Sequence, residues 1–572
     1  MTINKDVIKS YALENAMKHG GKAQQGAVLS SLFIEGLKKE DVKKTIPLIQ
    51  EILDEVNSLS IDKINEEHSK IKNKIHKRDV RAEGELPELP NAEKEKVVMR
   101  LAPFPSGPLH IGNTRALILN KEYVKKYGGK FILFMDDTIG SEEKQIEPDA
   151  YKLIQEGVKW IGADYDEIYY KSDRNEKYYA YAEEMIKKGY MYSCDCSQEK
   201  FHELRTKGID CPCRHLSSEI HLKKYKEMFL PSTKPGKLVI RLKTDMQDPD
   251  PAFRDRVMLK ISEREHPRTG KKYRVYPAME FSWAIDDHLI GTTHVLRGIE
   301  HQMSTRVQDF IRNIFKWENP ESIYYGLLKI EGVKISKSKG SKEVNSGAYI
   351  GWNDPRLWSL QSLKERGIQP EAIKDFILNM GLTKANSVVP VDVLYAINKK
   401  YLEESPRYFF VPNPVKIKIK ASLEFEKELL LHPNQELNFK LQKKFPKRNV
   451  KTTQEFFVPS QDFDLMQNAN YRLMHLFTFQ SEKLTNLRPR EFRFLSESPA
   501  EAVSTKFIQW LPVSEKNVNV IVRMPDNEII KGVGENSLSK LKEGEIVQFE
   551  RFGFVKLYKK SKNELEFWFA HR

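Results

Sequence analysis

Residues 97–138 read VVMRLAPFPSGPLHIGNTRALILNKEYVKKYGGKFILFMDDT, and this stretch decides the fold. VVMRLAP is a short apolar run of the kind a buried strand shows. ILNKEYVKKYGG reads as a helix stopped by glycine, and KFILFMDDT reads as a second strand. Strand, loop, helix and strand in that order form a βαβ unit, so the expected fold class is α/β with a nucleotide-binding sheet. The loop before the helix, rich in Pro, Gly and Ser, is expected to expose backbone N–H groups at a helix N-terminus, where the positive dipole end favours phosphate. His110 would sit beside those phosphates, and Gly112 would let a ribose and adenine approach the backbone closely.

Working outward, residues 1–75 read as short helices, with Ile46, Ile49, Leu53 and Val56 at three- and four-residue spacing. Residues 76–96 carry mixed charge, Gly84, Pro87 and Pro90 with little periodicity, and are expected as an exposed linker. The α/β texture holds over 97–170, an insertion mixing helices and strands occupies 171–278, and the strand-like YPAMEFSWAIDD (276–287) opens a second α/β stretch over 279–331. Residues 332–407 are expected as a loop followed, after Gly340, by a helical run. Asn353 or Asp354 is expected to cap a helix with Pro355 in its first turn and Gly367 beyond its end, and a second helix is expected from Pro370 toward Gly381. In residues 408–572, VKIKIK, NVNVIVRM, GEIVQFERFGFVKLY and ELEFWFAH alternate with a period near two, which predicts a β-rich tail built as sandwich or barrel.

The 572 residues exceed one compact core. Subtracting 80 acidic from 94 basic residues leaves +14, which suits a polyanionic partner such as nucleic acid. No apolar run reaches the roughly 18 to 20 residues of a membrane span, and the start lacks a signal-peptide apolar stretch, so a cytoplasmic protein without membrane attachment is expected. All four cysteines lie within twenty residues, as C-x-C, fourteen residues, C-x-C: Cys194, Cys196, Cys211 and Cys213. Four thiolates suit tetrahedral zinc (Zn2+) in a structural site. His202 and His215 are spare ligand candidates, and a metal-free reduced cluster is the alternative.

Some 220 residues beyond the first loop stands VKISKSKG, in which Lys334, Lys337 and Lys339 alternate with Ser336 and Ser338 before Gly340. Alone, such a run is a solvated loop. Paired with the His110 loop, its lysines can neutralise charge building on a leaving pyrophosphate. HIGN (His110 to Asn113) and KISKS (Lys334 to Ser338) resemble the His-Ile-Gly-His and Lys-Met-Ser-Lys-Ser signatures of the class I aminoacyl-tRNA synthetases. FMDDT (Phe134 to Thr138), AIDDHLIGTTHVLRGIEH (Ala284 to His301), GWNDPR (Gly351 to Arg356), Gly381 to Lys384 and GEIVQFERFGF (Gly544 to Phe554) are similar to the glutamyl/glutaminyl subgroup, and within it to the archaeal-type glutamyl enzymes. ALENAMKHGGKAQQGAV resembles the N-terminal helical extension of the archaeal and eukaryotic members. The sequence departs from the pattern where Asn113 replaces the second signature His, Ile335 replaces Met, Phe134 stands for an Arg, and Met279 and Trp283 stand where relatives often use polar residues.

The resemblance implies a Rossmann-like catalytic domain in two halves (97–170, 279–331), an inserted acceptor-stem-binding domain (171–278), a KISKS loop with helical connector (332–407) and β-barrel anticodon-binding domains (408–572). It implies transition-state stabilisation by His110, Asn113, Lys334 and Lys337, and ATP contacts from Pro108, Gly112, Glu300, Ser336 and Ser338, with Mg2+ accompanying ATP. Charge then suggests how glutamate is held. Asp136 accepts its ammonium group, while Arg100 and Arg297 offer guanidinium forks to its carboxylates. A cation at 297 favours glutamate over glutamine; the alternative for Arg297 is a surface pair with Glu300. The expected activity is ligation of glutamate to tRNA(Glu), with tRNA(Gln) as a second acceptor, by a monomer whose N-terminal helices are free to bind another protein. The competing readings are a glutaminyl enzyme and a non-catalytic RNA-binding protein of the same fold.

Overall fold

The structure, a computed structural model, describes residues 4–34, 37, 41–71, 84–139, 145–333, 337–422, 424, 426–482, 491–498 and 505–572. The chain forms two units, 1–83 and 84–572. In the first, helices Lys5–Lys18, Gln25–Ile34, Val42–Asn57 and Ile61–Ile71 enclose Ile8, Leu13, Val28, Leu32, Ile49, Leu53 and Val56. Lys9 pairs with Glu55 at 2.6 Å and Glu67 at 2.8 Å, linking the first helix to the third and fourth.

The second unit is organised around a five-stranded sheet of Val98–Leu101, Lys130–Met135, Glu167–Tyr170, His294–Gly298 and Glu321–Tyr325. All neighbours run parallel, in the order third, second, first, fourth, fifth, so the order reverses beside the first strand. Ligands of such sheets bind outside the carboxyl ends of the strands at that reversal. The helix Ile111–Tyr127 crosses between the first two strands and stops at Gly128, whose backbone is left-handed at φ 68°. A Cβ on Gly129 would lie 2.0 Å from the Val97 carbonyl oxygen, so only glycine lets the chain re-enter the sheet there. Met99, Leu117, Phe131, Leu133 and Ile154 fill the core together with Leu363, Ile373 and Ile377 of the downstream helices, so the connector is packed onto the sheet.

Three sequence expectations are corrected. Within the expected exposed linker, Leu86 and Leu89 are buried in the same core as Met99; an extended segment anchored by two leucines leaves no period to read. YPAMEFSWAIDD is a strand only at Val275–Pro277, after which Met279–Leu289 is a helix. Residues Glu280 to Asp287 are buried on every side, so the helix has no polar face to mark it. The helix expected to be capped at Asn353 or Asp354 begins at Leu360, capped by Ser359, although it ends at Gly367 as expected. The Asp354 carboxylate instead accepts from Arg356 and from the Ile350 N–H. The following helix does run Pro370–Met380 with Gly381 beyond.

Between Tyr170 and His294 the chain leaves the sheet. Met191–Cys194, Val239–Leu242, Val257–Ile261 and Val275–Pro277 form a four-stranded antiparallel sheet, accompanied by helices Asn175–Lys187, Gln198–Lys207 and Ser218–Glu227. The tail holds two seven-stranded sheets. Among the described residues one contains 407–412 and 518–571 strands and the other 414–420 and 455–512 strands, while Glu426–Leu429 and Arg448–Lys451 pair apart from both, so the chain starts the first, builds the second and returns. Arg448, fully buried, is clamped by Glu535 and reaches Glu550. Arg366 of the connector donates to the carbonyls of Phe569 and Ala570, joining connector to tail. Among the described residues no helix is long and apolar enough to cross a membrane.

Candidate active site

A cavity of about 680 Å³ opens at the carboxyl ends of the first and fourth strands, where the sheet order reverses. Arg100, His110, Gly112, Asn113, Asp136, Arg297 and Glu300 all line it, although they come from segments up to 200 residues apart in sequence. Pro108 is buried and does not line it. Lys334 and Ser336 lie outside the described residues, as do the side chains of Lys337 and Ser338, where the helix Lys337–Asn345 begins.

The helix N-terminus differs from the sequence expectation. The Ile111 N–H donates to the Trp358 carbonyl at 3.0 Å, the Gly112 N–H to His110 Nδ1 at 3.0 Å and the Asn113 N–H to the His110 carbonyl at 2.8 Å. These donors are therefore engaged within the protein, and a phosphate there would rely on side chains and the helix dipole. Asn113 has a structural part that explains it: its Oδ1 accepts the His110 N–H at 3.1 Å, closing a capping box and leaving the NH2 group as a donor. A Cβ on Gly112 would stand 2.9 Å from His110 Cε1, so this glycine makes room for the imidazole.

Behind the cavity lies a buried array of charges. The Arg100 Nε and Nη2 groups donate to the two oxygens of Asp287 at 2.6 and 2.9 Å, and Arg312 Nη2 reaches Asp287 at 3.1 Å. Burial pushes the Asp287 carboxyl upward, but the Arg100 and Arg312 guanidinium groups more than offset it and hold it below the ordinary carboxylate range. Asp286 faces Arg174 at 2.6 Å and Tyr178 at 2.6 Å; there burial prevails and the carboxyl is raised. Trp283 lies between Arg100 Cζ at 3.7 Å and Lys171 Nζ at 3.9 Å, and donates from Nε1 to Asp136 at 3.0 Å. Each such cation over an indole contributes about 0.5 to 2 kcal/mol. Phe134 packs its ring against Trp283 at 4.9 Å, so Phe134 and Trp283, two departures noted in the sequence, form one aromatic wall. Asp136 also lies 3.3 Å from the fully buried Lys171.

Arg297 is set differently from Arg100. Its Nη1 donates to Thr305 Oγ1 at 3.1 Å and to Gln308 Oε1 at 3.0 Å, and it has no carboxylate within ion-pair distance among the described residues. The pairing with Glu300 does not form. Burial, and then repulsion from Arg100, lower its pKa to about 10. A half-buried guanidinium in a cavity, with polar but uncharged partners, is poised for an anion.

In the insertion, the four cysteine sulfurs lie within 4.8 Å of one another, with Sγ–Sγ separations of 3.4 to 3.8 Å for the bonded pairs. A tetrahedron with metal–sulfur bonds near 2.3 Å has edges of about 3.8 Å, so the donor set fits zinc. The Cys211 thiol donating to Cys194, aided by Arg241, draws Cys194 down to about 5, while the same hydrogen bond pushes Cys211 up and burial pushes Cys213 up, so the charge of the metal-free cluster rests on Cys194 and a metal would have to displace the other protons. His202 turns to Arg205 and His215 to Asp210, and neither joins the cluster.

Sequence reasoning missed Lys171, Arg174, Asp286, Asp287, Gln308 and Arg312. The available signal was the acidic pair in AIDD within an apolar stretch, since buried carboxylates need cations.

Comparison with known proteins gives the family. Residues 96–404 match the catalytic domain of class I tRNA synthetases (E and Q), and residues 405–491 and 507–558 match the two anticodon-binding domains of that group. A glutamate–tRNA ligase of Methanocaldococcus jannaschii is 40% identical over 563 residues, 98% of this chain and 99% of that protein. One from Pyrococcus horikoshii is 42% identical over 581 residues, covering 100% of both, and one from Pyrococcus abyssi is 41% identical over 98% of each. With the parallel sheet, the cavity at its reversal point and matches along nearly the whole length, the chain belongs to the class I tRNA synthetases of the E and Q group.

Proposed function

We propose that this chain is a glutamate–tRNA ligase. The observation that carries the reading is Arg297, a half-buried cation in the cavity with no carboxylate of its own among the described residues. The names of the relatives agree with it. In the first step a glutamate α-carboxylate oxygen attacks the α-phosphorus of ATP, which enters with Mg2+ as substrate; an O–P bond forms and pyrophosphate leaves. In the second, the terminal adenosine hydroxyl of tRNA attacks the activated carbonyl carbon, its proton is lost and AMP leaves. Asp136 takes the substrate ammonium, Arg297 the side-chain carboxylate, and Arg100 turns its remaining Nη1 edge toward the substrate. His110, the Asn113 amide, Lys334 and Lys337 stabilise charge at phosphorus, so the protein contributes positioning and electrostatics. Glu300, Ser336 and Ser338 complete the ATP contacts. Pro108, being buried, supports the loop.

The test is ATP–pyrophosphate exchange with tRNA present, glutamate and glutamine side by side. Exchange with glutamate at least a hundredfold above glutamine is expected; exchange with glutamine above glutamate would favour a glutaminyl enzyme, and none a non-catalytic RNA-binding protein. Transcripts of tRNA(Glu) and tRNA(Gln) in the same assay define acceptor range: glutamylation rates within about a hundredfold, roughly 2.7 kcal/mol, make tRNA(Gln) a second substrate. The β-rich tail reads the anticodon, and the insertion holds the acceptor stem. The cytoplasm is the proposed location and a monomer the proposed state, with the N-terminal helices available to a protein partner.

The four cysteines would hold one Zn2+ that braces the insertion. Metal analysis of protein purified without chelator should give about one zinc per chain. Chelation should loosen residues 191–215 to proteolysis while tRNA-dependent exchange persists at reduced rate. Protein containing no zinc would return the cluster to reduced thiols.

A further inference from the structure

The helix Gln302–Ile314 places Thr305, Gln308 and Arg312 on one face, toward the cavity and the charge array behind it. Gln308 is 1% exposed and lines the cavity. Its Oε1 accepts from Arg297 Nη1, and its Nε2 is buried with no hydrogen-bond partner. The orientation is fixed by chemistry: turning the amide over would put its NH2 group against a guanidinium, donor facing donor. Thr305 is fixed too, because its hydroxyl donates to the His301 carbonyl at 3.2 Å and so turns a lone pair to Arg297. Arg297 is thus held by one nitrogen, and its remaining donors are left for a ligand. A buried amide N–H without an acceptor is rare in folded proteins, and a site where a ligand supplies the acceptor accounts for one.

We propose that Gln308 is a specificity-determining residue that positions Arg297 through Oε1 and donates from Nε2 to the side-chain carboxylate of bound glutamate. This rests on the reading of Arg297 as the partner of that carboxylate. A carboxylate presents acceptors on both oxygens and satisfies Arg297 and Gln308 together. The carboxamide of glutamine must turn its own NH2 group toward one of the two donors, and that clash adds to the rejection of the neutral side chain. The discriminating feature is then a pair of adjacent donors, of which Arg297 is the charged member.

The experiment uses the full chain in tRNA aminoacylation, with glutamate varied and ATP and tRNA varied separately. Gln308→Met keeps the length and removes both hydrogen bonds. It is expected to raise the glutamate KM at least tenfold while the KM values for ATP and tRNA stay within twofold. Gln308→Glu places a carboxylate against Arg297, neutralising it and repelling the substrate. It should lower kcat/KM for glutamate at least a hundredfold and shift the glutamate-to-glutamine ratio by at least tenfold toward glutamine. A glutamate KM within twofold of the parent in Gln308→Met overturns the proposal. Should that variant fail to fold, an unchanged glutamate-to-glutamine ratio in Gln308→Glu overturns it instead. Arg297→Gln separates the two ideas. If it raises the glutamate KM and Gln308→Met does not, only the role of Gln308 falls; if neither does, the reading of Arg297 falls first.

Discussion

Arg297→Gln is expected to lower kcat/KM for glutamate by about 2 to 5 kcal/mol, roughly 30- to 5,000-fold, the scale on which a buried charge loses its hydrogen-bonded partner. The loss should be large because the half-buried site lets solvent stand in only in part. Burial, followed by Arg100, draws the Arg297 pKa to about 10, which records a guanidinium in a poorly solvated, cation-rich place. A glutamate side chain entering there brings the missing countercharge, so the empty pocket is electrostatically unfavourable and the filled one is not. Removing the cation leaves the substrate carboxylate facing Arg100, whose Nε and Nη2 are committed to Asp287, and the amide of Gln308. The effect should fall mostly on the glutamate KM, because the side chain is held alike in ground and transition states. An unchanged kcat/KM would remove Arg297 from the substrate pocket.

The parts of this protein that the sequence discloses are those whose physics is local. VVMRLAP and KFILFMDDT reveal a parallel sheet because strands covered on both faces are apolar throughout, and Gly128 and Gly129 mark the turn because the first takes a left-handed backbone and a Cβ on the second would meet the Val97 carbonyl. Tail strands such as Pro414–Lys420 alternate because one face is covered, whereas Glu564–His571 is buried along most of its length. What stayed hidden depends on distant partners. Lys171, Arg174 and Arg312 are residue types found at surfaces, and they are buried only because Asp136, Asp286 and Asp287 meet them through the fold. The helix Met279–Leu289 shows no amphipathic period because it is enclosed. At the His110 loop the residue types were legible but the bonding was not: the expected free N–H groups are spent on Trp358 and His110, and Asn113 serves as a cap.

Asp287→Asn is expected to destabilise the catalytic sheet by about 3 to 5 kcal/mol, the usual cost of removing one member of a buried ion pair. Asp287 accepts from Arg100 and Arg312, whose side chains are 5% and 1% exposed, so an asparagine there leaves two guanidinium groups without their shared charge and turns an NH2 group toward one of them. Asp309 at 2.9 Å still serves Arg312, whereas Arg100 has no second carboxylate among the described ion pairs, so the damage should centre on the first strand. Amide hydrogen exchange of Val98–Leu101 and His294–Gly298 is the suitable readout, because a chain of several domains has no single unfolding free energy. The pH dependence carries a sign. The Asp287 carboxyl is held below its unfolded value, burial being outweighed by Arg100 and Arg312, so its contribution is complete above the unfolded pKa of about 3.9 and is lost as pH falls through the lower folded value. The gap between parent and variant should therefore be constant from about pH 5 to 8 and narrow below about pH 4, first as the Asp287 carboxylate of the unfolded parent protonates and then, at lower pH, as the folded one does. A gap that persists undiminished at the lowest pH where both proteins stay folded would mean that packing, and not the charge on Asp287, holds Arg100 against the cavity.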